Sequence, residues 1–319
     1  MIYTVTLNPA IDKTIQLNKL APGELNIAEQ SLTDIGGKGI NVSKVLKSLG
    51  AKSIALGLAG GENGKNITDG LLKAGIHYYF LDTGHETRTN IKIMESDGRL
   101  TELNEKGAPV QQSLINEFVE EVKSRIKEED ILILSGSVPA GVGEGIYADL
   151  INIAHAQAAK VILDADGELF YRAVEAGPDV IKPNISEFRR YLLKEGNKDI
   201  LTEDIIIEAV KKYFYEKNIS NVILSMGEKG AYFFDKNNAK ILYGNIVPVM
   251  VKSTVGAGDS MVAAWAYAMN RRYNFEKAAG LAMAASAAAV TTPGTMAPDA
   301  DKIAEFEERV NRQGGLTYV

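Results

Sequence analysis

The sequence predicts an α/β protein built around a mostly parallel sheet with helices on both faces. Short runs rich in Ile, Val and Leu alternate with longer amphipathic segments, an order typical of parallel strands joined by helices. Most of these runs lack polar alternation, as expected of strands that are covered on both faces. The chain has 319 residues, 45% of them apolar and 24% charged, which is ordinary for a protein with a packed core.

The apolar runs are too short for helices and are predicted strands: residues 2–7, 53–58, 130–134, 160–163, 180–181 and 221–224. Helical spacing of apolar residues predicts helices between and after them: residues 40–49, 111–128, 202–218, 256–270 and 275–290. Thr202 is a predicted N-cap, because acidic Glu203 and Asp204 follow it in the first turn.

Two stretches break this pattern. Residues 12–35 alternate polar and apolar without a helical period, and residues 88–103 resemble two strands around a turn at Asp97 and Gly98. We predict that both form one small β-sheet, a lid of residues 12–35 and 87–104. The core would then comprise residues 1–11, 36–86 and 105–319. The alternative is two unrelated surface hairpins.

Composition excludes several classes of protein. The net charge of −6 argues against a nucleic-acid binder, and the absence of cysteine excludes disulfides and thiolate chemistry. Three scattered histidines argue against a zinc site or a histidine-based triad. The N-terminus lacks signal-peptide character, and the longest weakly polar run, residues 280–290, is too short for a membrane helix. We therefore expect a soluble cytoplasmic protein with neither nucleic acid nor membrane as partner.

The strongest motif is a glycine-rich turn that leads into a helix. Gly256, Ala257 and Gly258 precede Asp259, so free backbone N–H groups would meet an anion at the positive end of the helix. A carboxylate there suits a base that takes the proton of a nucleophile attacking a phosphoryl group. The alternative is a plain helix cap in which Asp259 interacts with the helix dipole.

A second glycine-rich loop carries Gly37, Lys38 and Asn41 into a helix. Such a loop lets a ligand approach the backbone closely, with Lys38 available to a phosphate and Asn41 to hydroxyls. The alternative is a tight crossover with an exposed lysine.

A third motif follows the run at residues 180–181. Lys182, Asn184 and Glu187 would lie at the carboxyl end of a strand, where open α/β sheets bind ligands. An amide and a carboxylate three residues apart suit Mg²⁺ coordinated by Glu187 through water. The same spacing also fits a capping box, and both interpretations can hold together.

Weaker signals lie at two other strand ends and in the lid: Ser137 within residues 135–139, Ser225 and Gly227 within residues 225–230, and Arg88. Each is also compatible with a turn or a surface charge. The segment from Gly60 to Asn66 is similar to a P-loop but has the wrong spacing and ends in Asn66 rather than Ser or Thr.

In chain order, seven segments resemble the PfkB/ribokinase carbohydrate-kinase family: NPAID, GGKGINVS, TRTN, SGSVPAG, KPNISE, SMGEKG and STVGAGDSMV. The resemblance spans nearly the whole chain and is closest to the branch of the family that phosphorylates sugar phosphates. It implies a ribokinase-like three-layer α/β/α core with a β-sheet lid. It also implies phosphorylation of a sugar hydroxyl by ATP with Mg²⁺, and a homodimer formed through the lid.

The resemblance also implies a role for each motif. Asp259 matches the catalytic base, and Gly256, Ala257 and Gly258 match the hole that stabilises the transferring phosphoryl group. The residues that match sugar-phosphate contacts are Asp12, Gly37, Lys38, Asn41, Arg88 and Ser137. Those that match the side of the nucleotide and Mg²⁺ are Lys182, Asn184, Glu187, Ser225 and Gly227.

Two positions depart from the family pattern. Ser253 stands where the C-terminal signature often begins with Asp, and Asp166 stands where this branch often has Ser. An extra carboxylate near the nucleotide could alter phosphate or metal contacts, so residues 164–168 are assigned no role.

We expect a kinase that converts a ketohexose monophosphate, fructose 1-phosphate or tagatose 6-phosphate, to the 1,6-bisphosphate. The resemblance implies that Lys38 favours these two substrates over fructose 6-phosphate, because the loop of the minor 6-phosphofructokinase type usually lacks this lysine. Lys38 with Arg88 also argues against a nucleoside or an unphosphorylated sugar. The alternatives are a fructose 6-phosphate kinase of the same family and a non-catalytic sensor on the same fold.

Overall fold

The computed structural model describes residues 1–197, 200–312 and 314–319. The strands, in chain order, are β1 (Ile2–Thr6), β2 (Ala10–Leu17), β3 (Gln30–Gly36), β4 (Ser53–Ala59), β5 (His77–Asp82), β6 (Thr89–Glu95), β7 (Leu100–Asn104), β8 (Ile131–Ser135), β9 (Lys160–Asp164), β10 (Val180–Ile181), β11 (Asn221–Ser225), β12 (Ala231–Asp235), β13 (Lys240–Gly244) and β14 (Leu316–Tyr318). The helices are α1 (Lys38–Ser48), α2 (Gly61–Lys73), α3 (Gln112–Arg125), α4 (Ile146–Ala156), α5 (Gly167–Glu175), α6 (Ile185–Lys194), α7 (Glu203–Tyr213), α8 (Ala257–Asn270), α9 (Phe275–Ala289) and α10 (Ala300–Arg312).

The larger sheet has the strand order β14-β13-β12-β11-β10-β9-β8-β1-β4-β5. All pairs from β11 to β5 are parallel, while β12, β13 and β14 extend the other edge in antiparallel pairs. The prediction of a mostly parallel sheet is confirmed. The antiparallel edge and strand β5 were not predicted from the sequence.

Helices cover this sheet on both faces and complete three layers. On one face, α3 to α7 pack on alternate strand residues such as Val5, Leu134 and Leu163. On the other face, α1, α8, α9 and α10 pack on the intervening residues, among them Ile133 and Ile162. This division follows from the alternation of side chains along a strand, which gives each face its own apolar set. The three-layer prediction is therefore confirmed.

The smaller sheet joins the two stretches that interrupt the pattern of the core. Its strand order is β3-β2-β6-β7, in which β2 pairs antiparallel with β3 and parallel with β6, and β6 pairs antiparallel with β7. The predicted pairing of the two segments is confirmed, and the alternative of two separate hairpins is wrong. That this sheet acts as a lid stays a prediction.

Helix ends differ from the predictions by a few residues. The predicted helix 111–128 ends at Arg125, because Ile126 has extended backbone angles. The predicted helix 202–218 ends at Tyr213 and continues as a 3₁₀ turn, Tyr215–Lys217. Thr202 is the N-cap of α7, as predicted, and its hydroxyl accepts a hydrogen bond from the Ile205 amide. Within the described ranges, no helix is both long and apolar enough to cross a membrane.

Candidate active site

A cavity of about 820 Å³ lies at the carboxyl ends of the parallel strands. The core contributes Asp164 from the end of β9, Lys182 from the residue after β10, and the first turns of α1 and α8. The smaller sheet contributes Asp12 and Asn90. The cavity therefore has one wall from each sheet, which is the arrangement that a site closed by a lid requires.

The structure brings almost all of the predicted site residues to this cavity. Those that line it are Asp12, Gly37, Lys38, Asn41, Arg88, Lys182, Asn184, Glu187, Ser225, Gly227, Gly256, Ala257, Gly258 and Asp259. Ser137 is the exception. It is exposed in the segment after β8, outside the cavity lining, and its hydroxyl accepts a hydrogen bond from Asn8 at 3.2 Å. A sugar contact by Ser137 stays a prediction.

The N-terminus of α8 opens onto the cavity. Gly256 is the N-cap residue, and its φ of +83° lies in the left-handed region that glycine adopts without strain. None of the described side chains caps this helix, so the amides of its first turn are available to bind an anion. Asp259 makes no capping hydrogen bond, but it lies in the first turn of α8, where its charge can still interact with the helix dipole.

Asp259 is a buried carboxylate in that first turn. It is 6% exposed, and its Oδ2 accepts a hydrogen bond of 2.8 Å from Asn41 Nδ2. Burial raises the pKa of Asp259, and the nearby positive charge of Lys38 only partly opposes that effect. A carboxylate with a raised pKa takes up a proton more readily than an ordinary aspartate, which suits a general base.

A buried ion cluster lies beside this turn. Asp164 is 1% exposed, and its Oδ1 contacts the ammonium groups of Lys38 at 3.1 Å and Lys182 at 3.3 Å. Burial raises the pKa of Asp164, but the two lysines outweigh burial and lower it overall. Gly258 lies so close to Lys182 that a Cβ atom added to the glycine would be 3.2 Å from the lysine ammonium. Lys182 is thus in contact with the turn whose amides are free, and both can face the same anion.

The third motif forms a complete capping box at the start of α6. Asn184 Oδ1 accepts hydrogen bonds from the amides of Ser186 and Glu187, and Glu187 Oε2 accepts one from the Asn184 amide. The capping interpretation is confirmed. Glu187 also lines the cavity, where burial and the charge of Asp164 raise its pKa.

The neighbouring strand end carries the other two residues predicted for the nucleotide. A parallel bridge joins Asn184 to Ser225, at the end of β11. Gly227, with φ of +60°, then begins the 3₁₀ turn Gly227–Lys229. The two motifs are adjacent because β10 and β11 are adjacent and parallel.

Arg88 holds its position through backbone carbonyls. Its guanidinium donates to Pro9 O at 3.4 Å, Glu105 O at 2.8 Å and Asn8 O at 3.0 Å. Burial lowers the pKa of Arg88, but a guanidinium keeps its charge at neutral pH. Among the described residues, no carboxylate forms an ion pair with Arg88, so its charge is available to a bound anion.

Comparison with known proteins agrees with this arrangement. Residues 5–302 match the family model described as pfkB family carbohydrate kinase. The chain belongs to this family.

Relatives within the pfkB family carry two different names. The 1-phosphofructokinase of Borreliella burgdorferi is 36% identical over 292 residues, 90% of this chain and 91% of that protein. A tagatose-6-phosphate kinase of Staphylococcus epidermidis is 35% identical over 265 residues, 82% of this chain and 83% of that protein. Phosphofructokinase-2 of Escherichia coli, solved in complex with fructose-6-phosphate, has a TM-score of 0.89 at 26% identity, covering 98% of this chain and 99% of that chain.

Two parts of this pfkB site were missed by the sequence analysis. The first is the pair of residues that bind Asp12 in the smaller sheet. Asp12 Oδ1 accepts a hydrogen bond from Asn90 at 3.0 Å, and Oδ2 accepts one from Lys92 at 2.9 Å. Asn90 and Lys92 are two residues apart along β6, so their side chains lie on the same face of the smaller sheet as Asp12. This spacing is the feature of the sequence that could have identified them. The carboxamide oxygens of Asn90 and Asn41 are buried, without a hydrogen-bond partner in the described ranges.

The second missed part is an apolar wall. It is formed by the segment after β13 together with α9, and it includes Val247, Val249 and Met283. The segment after β13 has neither strand nor helix, so periodicity could not identify it. The cavity thus has a polar half at the smaller sheet and an apolar half near α9.

Proposed function

We propose that this pfkB kinase transfers the terminal phosphoryl group of ATP to a ketohexose monophosphate, giving the 1,6-bisphosphate. The observation that carries the proposal is the placement of Asp259. A buried carboxylate with a raised pKa lies in the first turn of α8, which no described side chain caps, and close to the Lys182 ammonium beside this turn. A base beside an anion hole is what phosphoryl transfer to a hydroxyl requires.

In the proposed reaction, Asp259 accepts the proton of the sugar hydroxyl while the hydroxyl oxygen bonds to the terminal phosphorus of ATP. The bond between that phosphorus and the bridging oxygen breaks, and ADP leaves with the electron pair. The amides of Ala257 and Gly258, together with Lys182, stabilise the charge on the transferring group. Because these donors are fixed before the reaction, they need no reorganisation in the transition state.

Mg²⁺ is part of the proposal, bound through the ATP phosphates and, through water, by Glu187. The described residues include no group of three or more His, Cys, Asp or Glu side chains that could hold a metal. A single carboxylate fits Mg²⁺ nonetheless, since this ion keeps several waters and is commonly shared with substrate phosphates. When bound, it would neutralise charge on those phosphates.

The polar half of the cavity supports a phosphorylated sugar as acceptor. Within the described ranges, Arg88 forms no ion pair with a carboxylate, and it could pair with the phosphate of the sugar. Asn41 and Asn90 each donate a hydrogen bond from the amide nitrogen to a carboxylate, and none of the described residues donates one to their carboxamide oxygens. Sugar hydroxyls would supply donors to these oxygens.

Fructose 1-phosphate and tagatose 6-phosphate are the proposed acceptors, since relatives of similar identity carry both names. Fructose 6-phosphate is the alternative, supported by the structural likeness to phosphofructokinase-2. A non-catalytic sensor is the other alternative, and the presence of Asp259 beside a free helix N-terminus argues against it.

An assembly through the smaller sheet also belongs to the proposal. On the face opposite Asp12, Ile15, Ile91 and Ile93 are half-buried and Leu103 is 55% exposed. A second copy of this sheet would cover them, and light scattering at micromolar concentration tests it, because a monomer would contradict the dimer. We place the reaction in the cytoplasm, where ATP and sugar phosphates occur.

The test of the function is release of ADP from MgATP with each of five acceptors: fructose 1-phosphate, tagatose 6-phosphate, fructose 6-phosphate, free fructose and adenosine. We expect kcat/KM to be highest for one of the first two sugars. A preference for fructose 6-phosphate would support the alternative kinase. Binding of ATP without turnover on any acceptor would contradict the proposal and favour the sensor.

A further inference from the structure

The apolar half of the cavity is bounded by residues 246–251, which we call the strap. The strap connects β13 to the turn before α8 and has no regular secondary structure. Its residues that line the cavity are Ile246, Val247, Pro248, Val249 and Val251. Met250 is 84% exposed and is not part of the cavity lining.

Backbone hydrogen bonds hold the chain on both sides of the strap. The Asn245 amide donates to Gly315 O at 2.7 Å, and the Lys252 amide donates to Val290 O at 2.8 Å. Between them, the strap backbone makes one hydrogen bond within the part of the chain that is described: Pro248 O accepts from Arg309 Nη2 at 2.7 Å. The backbone in the middle of the strap is therefore held by one guanidinium, while the buried side chain of Val247 anchors the strap to the core.

Arg309 lies on α10, which is itself well anchored. The buried side chains Ile303, Phe306 and Val310 attach this helix to the core. The guanidinium of Arg309 lies 4.6 Å from the centre of the Phe306 ring, and its Nη1 is 3.9 Å from a Glu305 oxygen. The donor to Pro248 O thus lies on a helix that is packed against the core. It is also charged, and charged donors form stronger hydrogen bonds than neutral ones.

We propose that Arg309 is a positioning residue for the nucleoside half of ATP. By binding the Pro248 carbonyl, Arg309 fixes the distance between the strap and Met283 of α9. A planar base would pack between these two surfaces. The apolar half is assigned to the base because apolar side chains of the strap and of α9 form its wall, although Ser286 of α9 also lines the cavity. This inference rests on the proposed function, since it requires ATP as the donor.

The test compares two substitutions on the same helix. Arg309→Met keeps the length of the side chain and its packing on Phe306 but removes the donors to Pro248 O. Arg312→Met is the matched control, because Arg312 is 78% exposed and pairs with Glu308 one turn away. We expect Arg309→Met to raise KM for ATP about 3- to 10-fold, the effect of losing part of one charged hydrogen bond. KM for the sugar phosphate and kcat should stay within about twofold, and Arg309→Lys should restore part of the loss.

A second measurement follows the strap without any need for turnover. Because the chain has no cysteine, Met250→Cys allows a single nitroxide label outside the cavity. We expect its electron paramagnetic resonance spectrum to show greater mobility with Arg309→Met than with Arg312→Met. If the wild-type protein fails to phosphorylate any sugar while the label still responds in this way, the proposed function fails but the fastening by Arg309 stands.

Two results would overturn the inference. One is equal label mobility in the two variants, which would mean that Arg309 does not hold the strap. The other is an unchanged KM for ATP, or an equal rise in KM for both substrates, which would mean that the strap does not position the nucleotide.

Discussion

Replacing Asp259 by asparagine separates its role in catalysis from its effect on stability. The amide has nearly the shape of the carboxylate, and its oxygen can still accept the 2.8 Å hydrogen bond from Asn41. The substitution removes the proton acceptor and the buried negative charge. A positioned general base typically contributes 10²- to 10⁴-fold, so we expect kcat to fall by about that factor while ATP still binds.

The same change should stabilise the fold at neutral pH. Burial raises the pKa of Asp259 above its unfolded value, so the folded state favours the protonated group. Its stabilising contribution is complete below the unfolded pKa and is lost as pH rises through the folded pKa. Asparagine is uncharged throughout and should raise the free energy of unfolding by about 1 kcal/mol at pH 7, which corresponds to about 2 °C in Tm. The gain should vanish in acid, where Asp259 is protonated.

Asp164→Asn is the matched control, and its effect on stability has the opposite sign. Lys182 and Lys38 lower the pKa of Asp164 despite its burial, so this carboxylate stabilises the fold above its unfolded pKa and loses that effect as pH falls. Removing one member of a buried ion pair costs about 3 kcal/mol or more, because the remaining charge is left unpaired. We therefore expect a lower Tm at pH 7.

The assays are ADP release for kcat and thermal unfolding followed by circular dichroism at several pH values. Turnover by Asp259→Asn within tenfold of wild type would refute its assignment as the base. A lower Tm for this variant at neutral pH would refute the argument from burial. The control shows whether any Asp-to-Asn substitution in this cavity has the same effect. We expect the two isosteric substitutions to change Tm in opposite directions.

Two further substitutions test the polar half of the cavity. Arg88→Ala should raise KM for the sugar phosphate about 10- to 100-fold through loss of charged hydrogen bonds, with little effect on KM for ATP; steady-state kinetics checks this, and equal changes for both substrates would contradict the placement of the phosphate. Lys92→Met should destabilise the fold by about 3 kcal/mol, because it leaves the buried carboxylate of Asp12 without its cation, and Asp12→Asn in the same chain should recover most of the loss in a thermal melt. No loss of stability in Lys92→Met would show that the pair with Asp12 is not stabilising.

The glycine-rich motifs could be predicted from the sequence because their function depends on neighbouring residues. The turn before α8 requires Gly256 in a left-handed conformation and Asp259 within one helical turn, and both constraints act over four positions. Asn184 and Glu187 are similarly local, since a capping box spans four residues. In such cases the local sequence determines which groups lie close together.

The role of Asp164 could not be predicted in this way. Nothing around the end of β9 indicates that Lys38, distant by 126 positions in the chain, would contact its carboxylate. The pairing of Asp12 with Lys92 depends on the parallel register of β2 with β6, which brings together strands about 80 residues apart. Contacts of this kind depend on the topology of the chain and cannot be predicted from periodicity within one segment.

The strap was missed for a different reason: its residues are apolar, but its conformation is not periodic. An apolar run usually indicates a strand or a helix face, and residues 246–251 form neither. Their exposed side chains, such as Ile246 at 49% and Val251 at 58%, fit the proposal that this half of the cavity holds the planar base of ATP.

The distribution of charge explains how an acidic chain can hold two anionic substrates. The whole molecule has a net charge of −6 and cannot attract anions at long range. The structure instead places Lys182 and Lys38 against Asp164, and Lys92 against Asp12, so each of these cations is stabilised before an anion arrives. Those two carboxylates hold the three lysines in place but neutralise two of their three charges. Arg88 is held by carbonyls and keeps all of its charge. This difference is why Arg88, rather than a lysine, is expected to dominate the affinity for the sugar phosphate.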